Sequence, residues 1–182
     1  MSATGRPVAN DVAFGAGYVW LGGSDGRLVR FDPMTGRDLA RTSLDPIDAI
    51  AYGHGSVWTV DTVGGTVTRY DPGTMRPVEE IEMPTAADYV VSGDVAVWAL
   101  STSVGTLSRI DPSTNDVAIA GRVGANPSGL AAGSGAVWVG DEDGIIRRVD
   151  EDTRQVTEIP FGAEIRAIAF DEDTETLWID VA

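Results

Sequence analysis

An all-β fold, a propeller of four-stranded antiparallel blades, is the architecture this sequence predicts. Three observations predict it. Tryptophan recurs at Trp20, Trp58, Trp98, Trp138 and Trp178, with spacings of 38, 40, 40 and 40 residues, and nowhere else. A period near 40 residues with one bulky anchor per copy is the signature of a repeat architecture. No segment sustains a helical period, while short alternating runs bounded by turn residues recur throughout, which is a strand pattern. Four short strands per 40 residues suit a propeller blade better than the shorter coil of a parallel β-helix.

The first two strands of each copy are joined by a tight turn just before the tryptophan. The copies read Ala13-Phe14-Gly15-Ala16-Gly17-Tyr18-Val19-Trp20, Ala51-Tyr52-Gly53-His54-Gly55-Ser56-Val57-Trp58 and Ala131-Ala132-Gly133-Ser134-Gly135-Ala136-Val137-Trp138. Their glycines supply the positive φ that a two-residue hairpin turn needs. The last copy has a longer acidic loop instead, Asp171-Glu172-Asp173-Thr174-Glu175.

The third strand follows a glycine and carries an Arg and an Asp two residues apart. The sets are Gly26/Arg30/Asp32, Gly65/Arg69/Asp71, Gly105/Arg109/Asp111 and Gly144/Arg148/Asp150. The alternation of Thr66-Val67-Thr68-Arg69-Tyr70 reads as a half-buried strand. Asp32-Pro33, Asp71-Pro72 and Asp111-Pro112 then give a type I turn signature, and a fourth strand such as Val78-Glu79-Glu80-Ile81 follows. The blades fall at about 10–47, 48–87, 88–127 and 128–165, with a half-blade at 166–182. About four and a half blades are thus present in one propeller region spanning 1–182.

The tryptophans are expected to pack between blades, since a large ring buries about 150–250 Å². The repeated arginines are expected to bond backbone or acidic groups of the neighbouring blade. An anion-binding ring of arginines is the alternative.

The run Gly-x-Gly-x-Val-Trp, then Gly-x-Val-x-Arg-x-Asp-Pro-x-Thr, resembles bacterial propeller repeats of the YVTN and streptogramin-lyase-like group. It is also similar to quinoprotein-like and NHL-type propellers. The resemblance covers nearly the whole chain. It implies the propeller fold, in proteins that are often exported or in which the propeller is appended to a regulator or kinase. The lyase branch relies on histidines and a glutamate around magnesium. This chain has one His, His54, in a hairpin turn, so the lyase activity is not carried over.

Composition narrows the function further. The net charge is −15, and all thirteen basic residues are arginine. Phosphate backbones and anionic lipid surfaces need clustered cations, so neither nucleic acid nor membrane is an expected partner. The missing lysine is read as the bias of a GC-rich genome, with a salt-adapted surface as the alternative. There is no Cys, which excludes disulfides and zinc–thiolate sites. The usual nucleophile–base pairs are nearly exhausted. No apolar run reaches bilayer length, and the first residues have no apolar core of a secretory signal, so the chain reads as cytoplasmic as written.

The expected function is a non-enzymatic binding or sensing module for a small ligand or a protein surface, as part of a longer protein. A carboxylate-based enzyme at the channel mouth and a purely structural scaffold are the alternatives. The expected site is the polar position just before each innermost strand: Asn10, Asp48, Asp88, Ser128 and Arg166. The residues two further on are apolar in every copy, so the scaffold is kept while this position varies. The acidic loops, with Asp141 and Asp143 as ligands, admit Ca²⁺ as a second candidate; no other cofactor is expected. The fifth copy ends after its second strand. Three outcomes are open: a longer ring of about six to eight blades, a closed ring of about four or five, or self-association through open edges. The segment Thr4-Gly5-Arg6-Pro7-Val8 resembles Thr35-Gly36-Arg37-Asp38-Leu39 and suggests the remnant of a preceding blade.

Overall fold

The computed structural model covers residues 9–43 and 45–182. The segment Thr4–Val8, and with it the suggested remnant, lies outside them. The described residues form eighteen strands and no helix. The first sheet is β1 (Asp11–Gly15), β2 (Tyr18–Gly22), β3 (Arg27–Phe31) and β4 (Asp38–Ser43). The second is β5 (Ala49–Gly53), β6 (Ser56–Asp61), β7 (Thr66–Tyr70) and β8 (Pro77–Glu82). The third is β9 (Tyr89–Ser92), β10 (Val97–Ser101), β11 (Thr106–Ile110) and β12 (Val117–Arg122). The fourth is β13 (Pro127–Gly133), β14 (Ala136–Asp141), β15 (Ile145–Asp150) and β16 (Val156–Pro160). The last pair is β17 (Ile165–Asp171) and β18 (Thr176–Val181).

Every sheet is an antiparallel meander in sequence order. The first strands β1, β5, β9, β13 and β17 pack side by side in that order and line one channel. This is the propeller arrangement, with the fourth strand of each blade outermost. Burial follows the radius: β10 is buried along its whole length, whereas β16 is exposed along its whole length.

The turns explain why glycine recurs where it does. Ala16-Gly17, His54-Gly55 and Ser134-Gly135 all have positive φ at both residues, the conformation of a two-residue type I′ turn. The turn between third and fourth strands is one residue longer than a type I turn. Gly36 N–H donates to Asp32 O at 2.9 Å, and Met75, Asn115 and Arg154 make the same bond to Asp71, Asp111 and Asp150. The position is left-handed in all four copies, which Gly and Asn tolerate best. The aspartate side chains close the turn: Asp71 Oδ1 accepts from the N–H and hydroxyl of Thr74, both at 2.7 Å.

Adjacent blades fit by compensating volumes. Gly15 lies against the ring of Tyr52, and Gly133 against the ring of Phe170. Gly53 faces the smaller Ser92. On the same principle Gly22 and Gly140 receive the side chains of Ile47 and Ile165, whereas Val60, at the equivalent position, shares its cluster with the small Ala87. A bulky residue on one blade is matched by a small one on the next, as close packing requires.

Trp20, Trp58 and Trp98 are fully buried. Trp138 is half-buried and stacks on Phe170 of the next blade, centroids 6.1 Å apart and planes 11° from parallel. Trp178, at the same register in the last pair, is 63% exposed. Trp20, Trp58 and Trp138 each donate their indole N–H to the last carbonyl of their own first strand, Gly15, Gly53 and Gly133.

Two of the four repeat arginines tie blade to blade, while Arg109 and Arg148 pair with Asp111 and Asp150 of their own blades. Arg30 donates to Pro72 O at 2.8 Å and to Gly73 O at 3.2 Å. Arg69 donates to Pro112 O and to Asn115 Oδ1. Both thus act between blades, through the carbonyls of the next turn.

Candidate functional site at the channel and its mouth

The start of each innermost strand sets the geometry of the channel mouth. A polar side chain there reaches towards the carbonyl that opens the next blade. Asn10 Nδ2 donates to Ile47 O at 3.0 Å, and the Ser128 hydroxyl donates to Ile165 O at 2.5 Å. In the second blade the reach is relayed. Asp48 Oδ2 accepts the Thr62 N–H at 2.9 Å, and the Thr62 hydroxyl donates to Ala87 O at 2.8 Å. Asp88 Oδ2 accepts both the N–H and the hydroxyl of Thr102 at 2.7 Å. Arg166 is exposed and lies 3.9 Å from Glu164. Asn10, Asp48, Asp88 and Ser128 are therefore all engaged in hydrogen bonds that hold blade edges. Of the five, Ser128 and Arg166 line one hollow of about 440 Å³, beside Tyr89, Asn126, Glu142 and Glu164. Asn10, Asp48 and Asp88 do not border it.

The channel itself is a second space, of about 500 Å³. Its walls are the small apolar residues of the five first strands, among them Ala51, Val91, Ala131 and Ala169. Four aromatic residues border it, Phe14, Tyr52, Tyr89 and Phe170, with the Tyr52 ring turned against Gly15 and the Phe170 ring stacked on Trp138 between blades. Asp11 lines it too, with one carboxylate oxygen accepting the Ile50 N–H at 2.9 Å.

Tyr89 borders both spaces. Its hydroxyl donates to Ser128 O at 3.1 Å, across the junction of the third and fourth blades. Burial pushes its phenol above the ordinary tyrosine value, and the charges of Asp88 and Asp11 push the same way. Sequence reasoning passed over Tyr89 and Asp11. The signal was positional: the residue after each predicted site position is Ala49, Gly129 and Ala167 in three copies but Asp11 and Tyr89 in two. A large polar group where the repeat keeps a small one marks a departure from the scaffold.

The acidic loop of the fourth blade is organised around an ion pair. Asp141 is fully buried, and its Oδ2 meets Arg147 Nη1 at 3.0 Å while Oδ1 accepts the Asp143 N–H at 2.9 Å. Arg147 also donates to Val123 O and to Glu158 Oε1. Among the described residues no three histidines or carboxylates converge as a metal-binding group. His54 occupies an exposed turn with φ of 49°.

No protein-family model matches this sequence, and no curated protein does. Among solved structures, the chain is similar to Kuenenia stuttgartiensis hydrazine synthase, with a TM-score of 0.79 at 8% identity. The match covers 98% of this chain and 58% of that one, so the chain spans just over half the length of its structural neighbour. At this identity the likeness concerns the fold alone. Sequence periodicity, sheet topology and structural likeness agree on one architecture: an all-β propeller of four-stranded antiparallel blades.

Proposed function

We propose that the protein is a non-enzymatic binding or sensing propeller whose central channel accepts a small, partly aromatic molecule. The channel carries this reading. Its volume of about 500 Å³ lies within the range of small-molecule sites, and its lining combines apolar strands with aromatic residues, Tyr89 among them, and a few polar groups. Tyr89 and the carboxylate of Asp11 give it a polar end, suited to a ligand with an amino or hydroxyl group. Near-uniform repeats and sparse catalytic residue types support a binding or sensing role within a longer protein. A single histidine in an exposed turn and the absence of cysteine and lysine favour binding over catalysis. No cofactor is required by this reading.

Amide spectra of ¹⁵N-labelled protein titrated with tyramine, indole and hexanoate test it. Shifts are expected at Ala51, Val91, Ala131 and Ala169, and they should weaken in Tyr89→Ala. Saturable binding that leaves those four amides unmoved would overturn it.

A second reading is self-association between open blade faces. Phe14 and Trp178 favour it. They are 69% and 63% exposed, at the register positions where Phe170 and Trp138 stack inside the molecule. Sedimentation equilibrium is expected to reveal a concentration-dependent dimer that Trp178→Ser dissociates; a monomer at every concentration would count against it.

A further inference from the structure

Between the third and fourth blades the inter-blade arginine contact is missing. Arg30 and Arg69 each find carbonyl acceptors on the turn of the next blade, and Arg69 also finds Asn115. The equivalent Arg109 faces a turn of different chemistry. Glu151 stands where the other turns have proline, and Arg154 stands where the third blade has Asn115. The Glu151 carboxylate does not neutralise Arg109. It turns inward and accepts the N–H groups of Asp94 and Val95 and the indole of Trp98. Among the described residues the Arg109 side chain keeps one loose ion pair, 3.7 Å to Asp111. The Arg154 guanidinium meets no acceptor among the described residues. Both arginines line a hollow of about 270 Å³ with Val95, Glu151 and Asp152, at the end of the blades opposite the channel mouth.

We propose that this hollow binds a small oxyanion, a phosphate or a carboxylate, bridged between Arg109 and Arg154. Two guanidiniums are donors without acceptor capacity, and the fork geometry of each matches two oxygens of one anion. The neighbouring turns satisfy one arginine with carbonyls and an asparagine. Here a second cation takes the asparagine's place, so the acceptor of the neighbouring junction is missing and a bound anion would supply it. Asp111 and the two carboxylates that line the hollow, Glu151 and Asp152, limit the affinity and favour a compact anion that reaches both arginines at once.

Calorimetric titration with inorganic phosphate and, separately, with acetate at constant ionic strength tests the proposal. Binding of either anion is expected, and the pair identifies which oxyanion fits. Arg109→Gln and Arg154→Gln should each weaken it by about tenfold, the loss expected for one charge-assisted contact. Arg154→Asn is the decisive variant. It installs the residue of the third blade at a left-handed position, φ 61° against 64° for Asn115. It gives Arg109 an internal acceptor, so anion binding should vanish while thermal stability is kept or raised. No heat with either anion, or undiminished binding in a folded Arg154→Asn protein, would overturn the proposal.

Discussion

The carboxylate of Glu151 accepts the indole N–H of Trp98 at 3.1 Å, joining the fourth blade to the third. In the three other copies for which the bond is seen, that indole bonds a carbonyl of its own blade. The change has a local cause. The third hairpin reads Gly93-Asp94-Val95-Ala96 and lacks the second glycine of the type I′ turns. Its Asp94 and Val95 amides are turned towards Glu151, 2.9 and 3.2 Å away. Asp94 in return accepts the Gly135 N–H of the fourth blade at 3.0 Å.

Glu151→Ala leaves three donors without their acceptor, the Trp98 indole in a buried site and the Asp94 and Val95 amides in a part-buried one. The expected loss is about 2–4 kcal/mol of unfolding free energy, since each buried unsatisfied group costs about 1–3 kcal/mol before relaxation. Urea denaturation measures it. Pro at this position, the residue of the other blades, should restore none of it, because Pro provides no side-chain acceptor.

Trp58→Ala and Trp178→Ala separate the repeat position from its environment. The first empties a fully buried site and should cost about 3–5 kcal/mol. The second removes a ring that is 63% exposed and should cost less than about 1 kcal/mol. Guanidinium midpoints compare them directly.

Gly15→Ala places a methyl against the Tyr52 ring. Overpacking at such a contact costs about 1–3 kcal/mol. Tyr52→Ser, the residue that Ser92 provides at the next junction, should recover part of that loss in the double variant. A double-mutant cycle by thermal unfolding reads the coupling. Strict additivity would mean that the two side chains do not meet.

Acid unfolding should draw on the turn aspartates. Hydrogen bonds from Met34 and Thr35 hold Asp32 below the ordinary carboxylate value. The Thr74 hydroxyl and amide do so for Asp71, and those of Ser113 for Asp111. Thr153 lowers Asp150, and Thr174 lowers Asp171. A group depressed in the folded state contributes its stability fully above its unfolded pKa. That contribution is lost as the pH falls through the folded value, below about pH 4 for aspartate. Stability should therefore fall from about pH 4 downwards, with a shallower slope in Asp71→Asn than in the parent. An unchanged slope in that variant would contradict the assignment. The sites are exposed, so solvent screening keeps each contribution small.

Much of the fold was legible in the sequence because a repeat states its own constraints several times. Trp20, Trp58, Trp98 and Trp138 fixed the alignment, and the glycines beside them fixed the hairpins. The candidate site was less legible. Asn10, Asp48, Asp88 and Ser128 stand out in an alignment of copies, yet whether a side chain points to a ligand or to the neighbouring blade depends on distances between sheets. Those four bond Ile47, Thr62, Thr102 and Ile165. Tyr89 belongs to one copy alone, so the repeat pattern, which weighs what copies share, gave it no weight.

The sequence by itself determined the strand count of each blade, the turn positions and the radial order, because alternation, positive-φ glycines and a 40-residue period are local properties. Only the tertiary structure decided which residues meet across blades. The pairing of Gly15 with Tyr52, the reach of Glu151 to Trp98 and the open hollow between Arg109 and Arg154 join residues roughly one repeat apart. Such contacts follow from how twisted sheets nest, where one side chain's volume or charge is set against another's, and no local pattern encodes that match.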